Sequence, residues 1–257
     1  MGLERIYNFR LALNEKSRAL FLDALGKEGR ARLAAIEARV RALFEPLGGA
    51  ILALSVSKRG IKLAWQAGDG QAEVLRKIEA MLSGENCADG RLLLELFLSD
   101  EPKNPELLYA LGTAYCDEND LERALELLAR LVEAAPEHVN GRVAKGAVLL
   151  RAGKIAEGVS ELERAVRQDP ENLWAHRTLG AGLMLLNRYS EAAANLRLAR
   201  EIDPEDQQAW LDYAKALDGM EAREQAESAY LKTIEIDEFS QAAEEARQRL
   251  GEKKNPH

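Results

Sequence analysis

The sequence has few cysteines and no long apolar run. Its 257 residues include only Cys87 and Cys116, too few for a disulfide framework or a zinc site. No stretch approaches the roughly 18 consecutive apolar residues of a membrane-spanning helix, so no membrane span is expected. Residues 1–14 lack the continuous apolar core of a secretory signal. Together these absences predict a cytoplasmic protein without a metal centre or a membrane anchor.

The chain is instead rich in charge and in helix-forming residues. Apolar residues make up 47% of it, enough for a sizeable core, and Ala, Leu, Glu and Arg dominate. Residues 1–66 carry 12 Lys and Arg against 6 Asp and Glu, a net charge of +6, whereas the remainder carries 23 against 37, a net charge of −14. This change of sign, together with Gly68, Asp69 and Gly70, predicts a domain boundary at 67–70.

Prolines mark an internal repeat. Pro102, Pro136, Pro170 and Pro204 follow one another at a constant step of 34 residues. Other columns keep the same step. Small residues form the columns Gly112, Gly146, Gly180, Ala214 and Ala124, Gly158, Ala192, Ala226, and large apolar residues form the column Leu128, Leu162, Leu196, Tyr230. A fixed period of this length predicts a stack of similar supersecondary units.

Each unit reads as two helices joined by a short turn. In residues 105–136, apolar residues recur every three or four positions, stop at 117–120 and then resume. Small residues are needed where the two helices approach most closely, and proline ends the second helix. The predicted breakers in the turns are Asn119, Asp120, Gly153, Asn187 and Gly219.

This pattern resembles the tetratricopeptide repeat family, whose unit is a 34-residue helix–turn–helix. The resemblance covers four units, 105–138, 139–172, 173–206 and 207–240, with 71–104 as a degenerate repeat or amino-terminal cap. Residues 241–251 are predicted to form a capping helix that begins at Ser240 and is closed by Gly251, and 252–257 a tail. The resemblance implies a mostly α-helical fold, a right-handed superhelical solenoid. Lys145 departs from the pattern, because leucine stands at the equivalent positions 111 and 179.

Residues 1–70 predict a small basic α+β domain. A helix is predicted at 27–45, with the apolar stripe Leu33, Ile36, Val40, Leu43 and Leu47, and a shorter helix at 19–25. Residues 50–56 and 61–66 alternate with a period of two and predict a β-hairpin. The hairpin side chains that we expect to pack on the stripe, or on a second subunit in a homodimer, are Leu52, Leu54, Val56, Ile61, Leu63 and Trp65.

Two hypotheses concern the basic residues of this domain. The residues are Arg30, Arg32, Arg39, Arg41, Lys58 and Arg59. They either form a surface for nucleic acid, with the hairpin as a wing, or a solvated helix face that can dock on the acidic repeats. The solvated face is favoured, because no nucleic-acid motif accompanies the charges.

The sequence contains no recognisable catalytic constellation. His138, His176 and His257 have no metal-ligand partner at helical spacing, and neither cysteine has an activating histidine beside it. No phosphate-binding glycine loop or Gly-x-Ser-x-Gly motif occurs. The carboxylates are scattered over predicted exposed helix faces. We therefore expect a protein that is not an enzyme and needs no cofactor.

The predicted function is that of a protein-interaction adaptor. In the family that the chain resembles, the first helices line a concave groove that holds partner peptides. The candidate groove residues are Tyr109, Thr113, Asn140, Arg151, Trp174, Arg177, Gln208 and Lys215. Trp174 and Tyr109 are predicted to anchor an apolar side chain, and the three cations to bind a carboxylate or phosphate. The alternative is a nucleic-acid-binding regulator that uses the basic domain for contact and the repeats for sensing a partner.

Overall fold

The structure is a computed structural model that describes residues 6–11, 29–57, 60–68, 70–84 and 86–254. The chain divides into two compact units, 1–118 and 119–257. The division falls inside the turn of the first predicted repeat, so that repeat has one helix in each unit. The helix predicted at 19–25 and the hairpin tip, Lys58 and Arg59, lie outside the described residues.

The first unit contains a three-stranded antiparallel sheet. Its strands are β1 (Ile6–Leu11), β2 (Ala50–Ser57) and β3 (Gly60–Gln66), in the order β1-β3-β2. The predicted hairpin of β2 and β3 is confirmed, whereas β1 was not predicted. In β1, Tyr7 lies opposite Trp65 and Phe9 opposite Leu63, so both aromatic side chains join the buried face of the sheet.

A β-bulge in β2 changes which side chains of the hairpin are buried. The register shifts between Ile51 and Ala53, so that Leu52 is the extra residue and its side chain is 49% exposed. Leu52 therefore does not pack on the apolar stripe with the other hairpin side chains, and its packing on a second subunit stays a prediction. The bulge places Ile51 opposite Trp65, on the face that the alternation assigned to Leu52, whereas Leu54 lies opposite Leu63 as the alternation predicted.

In the described part of the first unit, four α-helices accompany the sheet. They are α1 (Gly29–Phe44), α2 (Gln71–Leu82), α3 (Cys87–Asp100) and α4 (Pro105–Asp117). The α1 stripe is buried as predicted from Ile36 to Leu47, but Leu33 is 37% exposed, at the first turns of the helix. An aromatic cluster joins the sheet to α1 and α3. Its members are Tyr7, Phe9, Phe44, Trp65 and Phe97, and Phe97 contacts the other four rings.

The second unit consists of consecutive helices. They are α5 (Leu121–Ala134), α6 (Val139–Arg151), α7 (Ile155–Gln168), α8 (Leu173–Leu185), α9 (Tyr189–Ile202), α10 (Gln207–Gly219), α11 (Arg223–Ile236) and α12 (Gln241–Lys254). Within it, α6 packs on α7, α8 on α9 and α10 on α11. The fold is thus mostly α-helical, with a stack of helix pairs and a small amino-terminal sheet.

Glycines allow the paired helices of this unit to pack closely. A Cβ atom on Gly180 would lie 2.5 Å from Cγ of Leu196, and one on Gly146 would lie 2.6 Å from Cγ of Leu162. Both leucines are fully buried. The glycine column therefore contacts the large apolar column that follows 16 residues later in the sequence.

The turn inside each predicted repeat contains one residue in the left-handed region. These residues are Asn119, Gly153, Asn187 and Glu221, again 34 residues apart. Gly219 was predicted to be the breaker in the turn between the two helices of the last repeat. This is wrong, because α10 extends through Gly219 and the residue with a positive φ, 60°, is Glu221. Gly219 instead leaves space for Tyr189, whose ring would lie 2.3 Å from an added Cβ.

The last helix begins as predicted and ends later. Ser240 Oγ accepts a hydrogen bond from the backbone amide of Ala243 at 3.0 Å, which caps the amino terminus of α12. The helix then continues through Gly251 to Lys254. No side chain lies within 4 Å of a Cβ on Gly251, so nothing in its surroundings requires a glycine or a turn there.

Candidate functional site

Helix α8 is the first helix of a helix pair in the second unit. Its exposed face contains Trp174, the most exposed aromatic side chain on the first helices of these pairs. Asn172 begins the helix, because its Oδ1 accepts a hydrogen bond from the amide of Ala175 at 3.0 Å. Spacings of three, four and four residues place Trp174, Arg177, Ala181 and Leu185 on one side of this helix. Trp174 is 55% exposed and Leu185 is 61% exposed. We call these four residues the α8 face.

Arg177 packs against the Trp174 ring. Its guanidinium carbon lies 4.1 Å from the ring centroid, a cation–π contact. Its Nη1 also donates a hydrogen bond to Oδ2 of Asp206 at 2.8 Å. Asp206 is itself held in place, because Oδ1 accepts from the amide of Ala209 and caps α10. The indole is therefore supported on one side by a guanidinium that a capping residue anchors.

Lys215, the next predicted groove cation, is also paired within the chain. Its Nζ lies 2.9 Å from Oε1 of Glu245 on α12 and 3.6 Å from Oδ1 of Asp212. Burial raises the pKa of Asp212, and Lys215, Gln208 and Arg177 partly oppose this. Gln208 donates to Asp212 at 3.0 Å. Arg177 and Lys215 each have a carboxylate partner already, so binding a partner's anion requires breaking an existing pair or sharing the cation.

The other predicted groove residues lie in both units. In the second unit, Asn140 is exposed and its Oδ1 accepts from Asn172 at 3.2 Å, while exposed Arg151 donates to Asn119 at 3.3 Å. In the first unit, Tyr109 and Thr113 are half-buried neighbours on α4, and the Thr113 hydroxyl donates to backbone carbonyls of its own helix.

Sequence reasoning missed the acidic partners of these cations. Asp206 belongs to a column of helix-capping residues 34 apart, Asn104, His138, Asn172 and Asp206. This column was readable in the sequence and could have placed an acid beside Arg177. The pairing of Lys215 with Glu245 had no such signal, because α12 lies outside the repeated pattern.

The basic residues of the first unit are largely engaged where the structure describes them. Arg39 forms an ion pair with Asp89 of α3, and Arg41 pairs with Glu37 on its own helix at 2.8 Å. Arg32 is half-buried. Lys58, Arg59 and the side chain of Arg30 lie outside the described residues. Nucleic-acid binding and a homodimer through this domain therefore stay predictions of the sequence.

The histidines that the structure describes have structural roles. His176 is 2% exposed, and its ring nitrogens lie 3.0 Å from Asn195 Oδ1 and 2.9 Å from the carbonyl oxygen of Pro170. His138 caps α6, accepting from the amide of Gly141. Among the described residues, no group of three or more His, Cys, Asp and Glu side chains is arranged to hold a metal ion. None of the helices in this part of the chain is both long and apolar enough to cross a bilayer.

Family profiles match the repeat region. The profile described as tetratricopeptide repeat matches residues 143–207, and that of anaphase-promoting complex, cyclosome, subunit 3 matches residues 91–165. The matched residues are therefore of the tetratricopeptide-repeat type. The resemblance deduced from the 34-residue columns is therefore confirmed. The comparison with curated proteins gives no significant match.

Solved structures of tetratricopeptide-repeat proteins share this fold. MamA from Desulfovibrio magneticus RS-1, residues 41 to the end, is 22% identical with a TM-score of 0.57, covering 68% of this chain and 99% of its own. MamA of AMB-1 is 24% identical with a TM-score of 0.55, covering 64% and 98%. YrrB, described as a TPR protein with an unusual peptide-binding site, is 18% identical with a TM-score of 0.54, covering 70% and 92%. At these identities the likeness establishes the fold.

Proposed function

We propose that this protein is a non-enzymatic interaction scaffold that binds a segment of a partner protein along the α8 face. The observation that carries the proposal is the exposure of Trp174 on a first helix of the repeats, at 55%. Large aromatic side chains dominate the binding energy of many protein interfaces. The peptide-binding description of YrrB supports the same use of the fold.

The contacts around Trp174 favour an apolar anchor for the partner. Because the Arg177 guanidinium, which is bonded to Asp206, contacts the indole, part of the side-chain entropy of Trp174 is already lost before a partner covers it. Leu185 extends the apolar surface to the other end of the same face, 11 residues or about 16 Å further along the helix. The partner therefore presents two apolar side chains separated by a similar distance.

Polar groups next to this face fit the backbone of an extended segment. Asn140 and Gln208 are exposed on the neighbouring first helices, and each amide, beyond the one bond described above, has further donor and acceptor capacity. Arg177 and Lys215 already contact carboxylates. We therefore assign the affinity for the partner segment to the apolar side chains of the α8 face, and the orientation of that segment to the two amides. Carboxylate capture by these cations, the sequence-based expectation, is secondary in this proposal.

Site-specific photo-cross-linking tests where the partner binds. A benzoylphenylalanine introduced at Leu185 leaves the Trp174 ring in place and is expected to cross-link a partner from the protein's own cells. The matched control is the same residue at Leu231 on α11, which is 53% exposed. Cross-linked segments seen from position 185 and absent from position 231 support the proposal. Equal cross-linking from both positions would contradict it.

A further inference from the structure

The first helices of the repeats end at residues of one column, and this column gains large apolar side chains along the chain. Its members are Glu118, Ala152, Leu186 and Met220, the carboxyl-terminal caps of α4, α6, α8 and α10. Leu186 is 36% exposed and Met220 is 44% exposed. The third and fourth repeats thus present large apolar side chains to solvent, where the first two repeats have an acid and an alanine.

The turns themselves do not need these two side chains. The amide of Leu186 donates to the carbonyl oxygen of Leu183 at 3.1 Å. The amide of Met220 donates to that of Leu217, also at 3.1 Å. Ala152 donates to its own helix in the same way, so the turn forms without a large apolar side chain at the cap. Exposed apolar side chains that lie together are typical of interaction surfaces.

Tyr189 connects the two turns into one surface. It begins α9, three residues after Leu186. Its ring lies against Gly219, the residue before Met220, because a Cβ atom on Gly219 would lie 2.3 Å from Cδ1 of the ring. The phenol donates a hydrogen bond to Oδ1 of Asn187 at 2.8 Å, which restrains the half-buried ring. We call Leu186, Tyr189 and Met220 the turn surface.

The turn surface begins where the α8 face ends. Leu185, the last residue of that face, is 61% exposed and directly precedes Leu186. From there the surface passes over Tyr189 to Met220 at the end of α10, the first helix of the next repeat, which contacts α8. A segment bound along α8 therefore meets a second apolar area as soon as it passes Leu185.

The side chains of the turn surface favour an aromatic ring as the occupant. A second ring placed edge-to-face or offset against a tyrosine ring gains energy beyond that of the buried area. The methionine thioether is flexible and contacts ring edges favourably. None of the three side chains is ionised at neutral pH, so a charged group of a partner would find no counter-charge on them.

We infer that the turn surface is a second contact area for the segment that binds the α8 face, and that it takes an aromatic side chain of that segment. The inference rests on the proposed function and adds the course of the partner, which runs along α8, past Leu185 and over the turns toward α10. Packed helices lie about 8–10 Å apart, a distance that an extended chain spans in about three residues. The aromatic residue therefore lies within about six residues of the partner residue that meets Leu185.

Benzoylphenylalanine at Met220 in the full-length chain tests this course. We expect it to cross-link the same partner protein as position 185 does, within about six residues of the site captured there. The matched control is Ala152, the exposed cap of α6, from which no cross-link to this part of the segment is expected.

The outcomes separate this inference from the proposed function. Capture from position 185 with none from 220 would overturn the inference and leave the α8 face in place. A cross-link from 152 in place of 220, a different protein captured at 220, or a second copy of this chain captured there would also overturn it. If position 185 captures nothing, the proposed function fails first and the inference with it.

A truncation cycle tests whether the contact contributes affinity. The probe is a synthetic copy of the segment that position 185 captures. Met220→Ala should weaken its binding about fivefold, the effect of losing one large apolar contact, whereas Leu198→Ala, 39% exposed on α9, should not. With the segment shortened to exclude its aromatic residue, Met220→Ala should have no effect, because the contact is already lost. Equal weakening for both lengths of the segment, or none for either, would overturn the inference.

Discussion

Nζ of Lys145 lies 3.2 Å from Oε1 of Glu161, across the helix pair formed by α6 and α7. Arg142 bonds to the other carboxylate oxygen at 2.9 Å. Lys145 stands where leucine occurs at the equivalent positions 111 and 179. The second repeat therefore replaces an apolar contact with an ion-pair triad of Arg142, Lys145 and Glu161, whose carboxylate side chain is only 13% exposed. Exposed Arg164 adds a third, longer contact to Glu161 at 3.4 Å.

Removing the charge of Glu161 should destabilise this helix pair. Glu161→Gln leaves two partly buried cations with a neutral acceptor, and we expect a loss of about 2 kcal/mol in the free energy of unfolding. Chemical denaturation followed by circular dichroism measures it. The matched control is Glu201→Gln, which removes an exposed ion pair with Arg197 and should cost less than about 0.5 kcal/mol. Equal losses for the two variants would show that the triad has no special role.

The same carboxylate predicts a pH dependence. Burial raises the pKa of Glu161, but Lys145 and Arg142 outweigh it, so the net pKa is lowered from 4.5. A lowered folded-state pKa contributes stability that is present above pH 4.5 and is lost as the pH falls through the folded value. Glu161→Gln should therefore show a shallower fall in unfolding midpoint below pH 4.5 than the parent protein. Parallel pH profiles of the two proteins would contradict this assignment.

Two glycines in helices should respond to alanine in opposite directions. Gly180→Ala places a methyl group 2.5 Å from the buried Leu196 and should destabilise the protein by about 1–3 kcal/mol. Gly251→Ala has no atom within 4 Å of its new methyl group, and should stabilise α12 by about 0.5–1 kcal/mol through its helix propensity. Thermal unfolding of both variants tests this contrast, and a neutral Gly180→Ala would show that α8 and α9 are not tightly packed there.

Glu221 offers a stabilising substitution. Its φ of 60° is unfavourable for glutamate, whereas the equivalent turns contain Asn119, Gly153 and Asn187. Glu221→Asn should raise the free energy of unfolding by about 0.5–1 kcal/mol, because asparagine tolerates the left-handed region better. A comparison of unfolding midpoints with Glu224→Asn, at an exposed position in the first turn of α11, separates this effect from the loss of a charge. If Glu221→Asn stabilises the protein no more than Glu224→Asn does, the explanation by the positive φ of Glu221 is contradicted.

The repeat columns predicted the helix pairs well, because each position in a 34-residue unit is constrained by close packing. Gly146 and Gly180 show this, since both lie against the leucines of the large apolar column. The sheet was less predictable. β1 was missed because it is only six residues long, although Tyr7 and Phe9 alternate with polar residues. The bulge at Leu52 shifts the alternation of side chains along β2, and no residue in the sequence marks it.

The candidate site was predictable only in part. Helical spacing placed Trp174 and Arg177 on one face, and both lie there. Helical spacing alone did not show that Arg177 bonds to Asp206, and only the column of capping residues to which Asp206 belongs could have indicated it. Two of the three cations that were expected to bind a partner's acid, Arg177 and Lys215, already pair with carboxylates of the chain.

Binding through Trp174 is tested most directly by calorimetric titration of the partner segment that cross-links to position 185. Trp174→Ala should weaken its affinity at least about tenfold, the effect of losing an aromatic anchor. The unfolding free energy should change by less than about 0.5 kcal/mol, because the side chain is exposed. Leu231→Ala, which removes a similarly exposed side chain from α11, should leave the affinity unchanged. An affinity for Trp174→Ala equal to that of the parent protein would contradict the assignment of the α8 face as the binding surface.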